Sequence, residues 1–149
     1  MTVAHAFRST VESHPDRVAV RTGDDAISWT WSELAERVDA LAGGLASLGV
    51  RRGDTVALML GNRPEFAIAD LAAMTLGATP FSIYQTFSPP QIAYVVGDAG
   101  AKVAIVEEAF LDVFQQARAE LPALETLIVI EGARGEETTR WGIGVVWAS

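Results

Sequence analysis

The stretch "RRGDTVALMLGNRPEF", Arg51 to Phe66, is the part of this sequence most like a site for chemistry. An apolar strand runs into Gly61, and a helix is expected just beyond it. That is the layout in which backbone N–H groups at a helix N-terminus cradle a phosphate. The spacing does not complete the motif. Gly53 and Gly61 have seven residues between them, and no Gly-Lys pair occurs anywhere in the chain. A phosphate loop needs G-x-x-x-x-G-K-[ST], and a dinucleotide turn needs three glycines after its strand. Here one glycine follows, and Pro64 removes an amide that an anion would use. The stretch therefore reads as a structural turn from strand to helix.

The other candidates are equally bland. His5 and His14 are the only histidines, and neither has a carboxylate at ligand spacing, so no metal or acid–base role is assigned to them. Arg52-Gly53-Asp54 reads as a turn with Asp54 in solvent. Ser32 and Ser88 sit beside or at helix starts, and no glycine-flanked nucleophile elbow surrounds any serine. Asp98 follows Gly97 and reads as a cap or loop residue. Trp29, Trp31 and Tyr84 read as core or core-edge aromatics. No catalytic, cofactor-binding or metal-binding residue is assigned.

The bulk numbers narrow the classes. The chain has 149 residues, half of them hydrophobic and 20% charged, which is globular composition. Its formal charge of -8 argues against a nucleic-acid partner. Lys102 is the only lysine among eleven basic residues. There is no cysteine, so disulfides and thiol catalysis are excluded, and a reducing, cytoplasmic location is expected. The most apolar stretch, Phe66 to Ile83, contains Asp70 and Pro80 and is expected to be a helix plus a strand, with no membrane span.

The elements that would position any site follow from periodicity. A short helix is expected over 4–13, then a hairpin from strands at 17–22 and 26–30. Thr30-Trp31-Ser32-Glu33 is a capping box. The helix it opens carries Leu34, Val38, Leu41, Leu45 and Leu48 on one stripe and ends at Gly49. A continuous apolar strand is expected at 55–60, as in a sheet covered on both faces. Asn62 is the expected cap of a helix running to about Leu76. A strand at 79–83 follows, then a helix opened by Ser88-Pro89-Pro90-Gln91 and ending near Gly97 to Gly100. A strand at 102–106, a helix at 108–119 and a strand at 126–130 complete the alternation. This α/β pattern predicts a mostly parallel sheet with helices on both faces. Residues 131–140 read as a polar linker. The tail "WGIGVVWAS" is apolar, with nothing obvious to pack on.

The order of these motifs is more specific than any one of them. "WTWSEL", "LGVRRGDTVALMLGNRPEF" and "LAAMTLGATPFSIY" together resemble the N-terminal region of AMP-forming acyl-CoA synthetases, of the adenylate-forming superfamily. The likeness covers about residues 14 to 130. "SIYQTFSPPQIAYVVGDAGAKVAIVE" is most similar to the long-chain fatty-acid type. The resemblance implies a partial N-terminal subdomain of the adenylate-forming fold over 1–130, followed by an aberrant tail over 131–149. It implies a family reaction in which a carboxylate attacks the α-phosphorus of ATP with Mg²⁺, after which the thiol of CoA displaces AMP. The family's phosphate loop, adenine-binding segment, metal-binding glutamate and C-terminal lysine match no residue here. A truncated, inactive synthetase is therefore expected, with a sheet edge left unpaired where later strands belong. A split enzyme completed by a separate chain is the second reading. A free-standing Rossmann-like binding domain for a small ligand is the third.

Overall fold

A computed structural model describes residues 1–131 and the backbone of residues 140–146. Helix α1 spans Val3–Ser13, and strands β1 (Val18–Arg21) and β2 (Ser28–Thr30) form an antiparallel hairpin. Helix α2 covers Trp31–Ser47. Its start is the expected capping box: the Thr30 N–H donates to Glu33 Oε2 at 2.8 Å, and the Glu33 N–H donates to Thr30 Oγ1 at 3.2 Å. Strand β3 (Thr55–Met59), helix α3 (Pro64–Thr75), strand β4 (Thr79–Ser82), helix α4 (Pro89–Ala99) and strand β5 (Val103–Glu107) then alternate. Two short 3₁₀ turns flank helix α5 (Leu111–Gln116), so the single helix expected over 108–119 is broken. Strand β6 spans Thr126–Glu131 and strand β7 Arg140–Val146.

The sheet order is β4-β3-β5-β6-β7. The first four strands are mutually parallel, as the alternation required. The connection β3–α3–β4 steps one way along the sheet, whereas β4–α4–β5 and β5–α5–β6 step the other way. Crossovers of one hand can do this only by placing α3 on one face and α4 and α5 on the other. The core shows that division. Val56, Leu58, Ile105 and Ile128 pack with α2, α3, Phe7 and Trp29, while Ala57, Met59, Ala104 and Leu127 pack with α4 and Phe114. Successive residues of β3, β5 and β6 thus feed opposite cores, which is why these strands are apolar throughout.

Several expectations need correcting. Asn62 does not cap α3. The N-cap position is Arg63, whose side chain makes no capping bond and turns inward instead. Asp98 lies inside α4 as an exposed helical residue, and Gly100 supplies the left-handed end at φ 62°. Tyr84 is 73% exposed, so it is no core aromatic. It meets Phe87 edge to face, at 5.3 Å between ring centroids. Asp54 is not simply solvated: its Oδ2 accepts the Arg51 N–H at 2.7 Å and ties the turn. The edge of β6, expected to lie open, is paired antiparallel with β7, so the tail does find a partner. The linker expected over 131–140 lies, apart from its two ends, outside the described residues, as do Trp147, Ala148 and Ser149.

Candidate functional site

Neighbouring strands β3 and β5 send their helices to opposite faces, so their carboxyl ends splay apart. In open parallel sheets this switch point is where ligands enter. Gly61, Asn62 and Arg63 follow β3 here, and Glu107 ends β5. The crevice between them is filled by the protein's own charges. The Gly61 N–H donates to Glu107 Oε2 at 2.8 Å. Arg63 Nε donates to Glu65 Oε2 at 2.7 Å, and Arg63 Nη1 lies 3.5 Å from Glu107 Oε1. All three side chains are buried, with the Arg63 guanidinium fully out of solvent.

Each member has a local reason to be there. Pro64 opens α3 and fixes an extended residue before it, which sets Arg63 at φ -141°, ψ 155°. That conformation lets the Arg63 side chain fold back under the helix. Glu65 stands in the first turn of α3, where a carboxylate also meets the positive end of the helix dipole. Glu107 is the one charged residue of a fully buried strand. It reaches the β3 turn because Met59 and Val106 are in register, leaving Gly61 and Glu107 just beyond the last pair. Charge-assisted hydrogen bonds of this kind are worth about 1.5–3 kcal/mol each when buried.

The amide that an incoming phosphate would need is already bonded to a carboxylate, and the nearby cation is engaged by two.

An open cleft of about 990 Å³ lies beside the crevice. It is walled by the hairpin turn from Val20 to Asp24, the β3–α3 corner with Asn62 and Phe66, and the segment from Ser82 to Thr86 after β4. Asn62 therefore faces this cleft rather than capping a helix. Asp24 is fully exposed at its rim, and hydrogen bonding to Thr22 and to the Ala26 amide holds its carboxyl below the usual range.

The remaining sequence candidates are scattered. His5 is in the first turn of α1, with Nδ1 2.8 Å from Thr2 Oγ1, and His14 ends that helix. Ser88 is bound to Gln91, whose Oε1 accepts from the Ser88 N–H at 2.9 Å. Lys102 is exposed before β5, where its carbonyl accepts the Glu125 and Thr126 amides. Trp29 is buried under the Arg37 guanidinium, 4.4 Å from its ring centroid. Sequence reasoning missed Arg63, Glu65 and Glu107. Two signals were present: opposite charges flanking Pro64, and the glutamate pair, Glu107 and Glu108, closing the apolar run "VAIV".

Comparison with known proteins fits this frame. The family model described as AMP-binding enzyme matches residues 7–142. An uncharacterized Mycobacterium tuberculosis protein, Rv1549, is 43% identical over 132 residues, covering 89% of this chain and 74% of that protein. The long-chain-fatty-acid–CoA ligase FadD15 of Mycobacterium bovis is 34% identical over 123 residues, covering 80% of this chain and 20% of the ligase. The crystal structure of the anthranilate CoA ligase AuaEII with anthranoyl-AMP superimposes with a TM-score of 0.82 at 26% identity, covering 87% of this chain and 25% of that enzyme. The chain thus spans about a quarter of the ligases it matches, and most of the shorter Rv1549. It belongs to the AMP-binding enzyme family and corresponds to the N-terminal part of the adenylate-forming acyl-CoA synthetases.

Proposed function

We propose that this chain is the N-terminal scaffold of a fatty-acid–CoA ligase of the AMP-forming type, and that it does not activate a carboxylate by itself. The observation that carries this reading is the filled crevice at the switch point. Adenylation needs donors and cations converging on one phosphorus centre. Here the Gly61 amide and the Arg63 guanidinium are committed to Glu107 and Glu65. No Gly-Lys phosphate loop occurs in the 149 residues. The resemblance of "SIYQTFSPPQIAYVVGDAGAKVAIVE" to long-chain enzymes and the 34% identity to FadD15 support fatty acid as the substrate class of the parent reaction. The cysteine-free sequence suits a reducing compartment, and we place the chain in the cytoplasm.

Ligand-dependent thermal unfolding tests this. A ligand at a hundred times its Kd stabilises by about 2.7 kcal/mol, a shift of several degrees for a domain of this size. With millimolar Mg-ATP, a long-chain fatty acid or CoA, the Tm is expected not to move. A saturable rise with nucleotide overturns the scaffold reading.

A second reading, a subunit completed by a separate chain, is favoured by the exposed aromatics. Tyr84 and Tyr94 are 73% and 74% exposed, and Tyr84 borders the open cleft. Such a partner would supply the later segments of the ligase. Co-purification of the two, with activity only in the mixture, supports that reading. A stable monomer that captures no complementary chain counts against it.

A further inference from the structure

Helix α3 has no solvated face. Its inner face, Glu65, Ile68, Ala69, Ala72 and Ala73, is buried. The apolar members pack with Val56, Leu58 and α2. Its outer stripe is Pro64, Ala67, Asp70, Leu71, Met74 and Thr75, at helical spacings of three and four. Each of these is half-buried, and none is exposed. The other long helices differ. Helix α2 puts Glu33, Glu36 and Asp39 in solvent, and α4 puts Gln91, Tyr94 and Asp98 there. A helix that is apolar on both faces belongs in an interior. At its N-terminal end the stripe runs into the open cleft, which Pro64 and Ala67 help to wall. From there it extends along α3 for about three turns.

One group sets the chemistry of whatever covers this stripe. Asp70 lies midway along it, between the apolar Ala67, Leu71 and Met74. Among the described residues it has no hydrogen-bond or ion-pair partner. Burial alone raises its carboxyl pKa, with no neighbouring charge to offset it. Covering such a carboxylate with apolar side chains costs its remaining hydration, unless a cation arrives with the cover. A second copy of this chain does not meet that need. Two such stripes related by a two-fold axis at their middle bring Asp70 near Asp70, and like charges repel. The formal charge of -8 on each chain adds to the repulsion.

We propose that the outer stripe of α3 is the docking surface for a separate chain, which covers it with an apolar helix carrying one arginine or lysine against Asp70. A straight stripe on a helix is matched by the ridges of a second helix, with anchors at spacings of three and four. That this chain is the one supplying the later ligase segments rests on the reading of a completed subunit. The surface and its chemistry do not.

Labelled helical peptides of about 15 residues test this. They share one apolar face and differ at its central residue, which is arginine, norleucine or glutamate. Binding to the full chain is read by fluorescence anisotropy, with each variant first shown to be folded by circular dichroism. The arginine peptide is expected to bind saturably, about tenfold or more tightly than the other two. Asp70→Asn should remove that preference, and Asp70→Lys should transfer it to the glutamate peptide. Met74→Gln should weaken the arginine peptide while Asp70 stays in place. No saturable binding, equal binding of the three peptides, or an arginine preference that survives Asp70→Asn overturns the proposal. Self-association of the parent chain that Met74→Gln abolishes points to a second copy and also overturns it. Failure to find a complementary ligase chain sinks only the partner's identity, whereas loss of the peptide preference sinks the surface itself.

Discussion

Replacing Arg63 with methionine is the sharpest perturbation of the switch point. The side chain keeps an unbranched apolar stem but loses the guanidinium that lies between Glu65 Oε2 at 2.7 Å and Glu107 Oε1 at 3.5 Å. Both carboxylates are more than nine-tenths buried, so the variant leaves two like charges with no cation between them. Removing one partner of a buried ionic cluster costs about 3–5 kcal/mol. That is a large share of the roughly 5–15 kcal/mol available to a domain. With a urea slope of about 2 kcal/mol/M, the midpoint should fall by about 1.5–2.5 M. Glu107→Gln is the milder comparison, because its amide oxygen can still accept the Gly61 N–H while the charge is gone. The double variant Arg63→Met with Glu107→Gln should cost less than the sum of the two, with a coupling of about 1–3 kcal/mol. The assay is equilibrium urea unfolding followed by tryptophan fluorescence. An Arg63→Met midpoint within about 0.3 M of the parent chain, or strict additivity in the double variant, would refute the claim that this cluster closes the crevice.

Three further outcomes follow from single sites. Thr30→Ala removes the acceptor for the Glu33 amide and should destabilise by about 0.5–2 kcal/mol in the same urea assay. Gly77→Ala should cost about 1–2 kcal/mol, since φ is +74° and the new Cβ would sit 3.0 Å from Arg52 Cγ; Gly23→Ala, with open space around it and no left-handed φ, is the mild control. Burial raises the carboxyl pKa of Asp70. The folded chain therefore holds that proton more tightly than the unfolded chain, so this residue's contribution to stability falls as pH rises through the ordinary carboxylate range. Asp70→Asn should be more stable than the parent at pH 7, with the difference shrinking below pH 4, as read from urea midpoints across pH.

The fold was legible because its strands and caps obey local rules. The apolar run at 55–60 needs two covered faces, and the order of helices and strands then leaves a doubly covered parallel sheet. The Thr30 box was readable because both its bonds are made within four residues. The cluster at the switch point was not readable, since Gly61 and Glu107 are 46 residues apart and meet only through the register of β3 and β5. Asn62 was a plausible cap by type, but Pro64 opens the helix and so puts Arg63 at the cap position. The pairing of β7 was missed for a related reason. Ile143, Val145 and Val146 have strand-forming side chains, yet only the open edge of β6 gives them a place to pair.

The central claim is that this chain scaffolds an adenylating fold without performing the chemistry, and ATP–pyrophosphate exchange tests it most directly. The purified full chain is incubated with Mg-ATP, labelled pyrophosphate and a series of saturated fatty acids, and label in ATP is counted. The account predicts incorporation no higher than in the absence of fatty acid, for the parent chain and for Glu107→Gln alike. Fatty-acid-dependent exchange by the parent chain, surviving repurification, would contradict it.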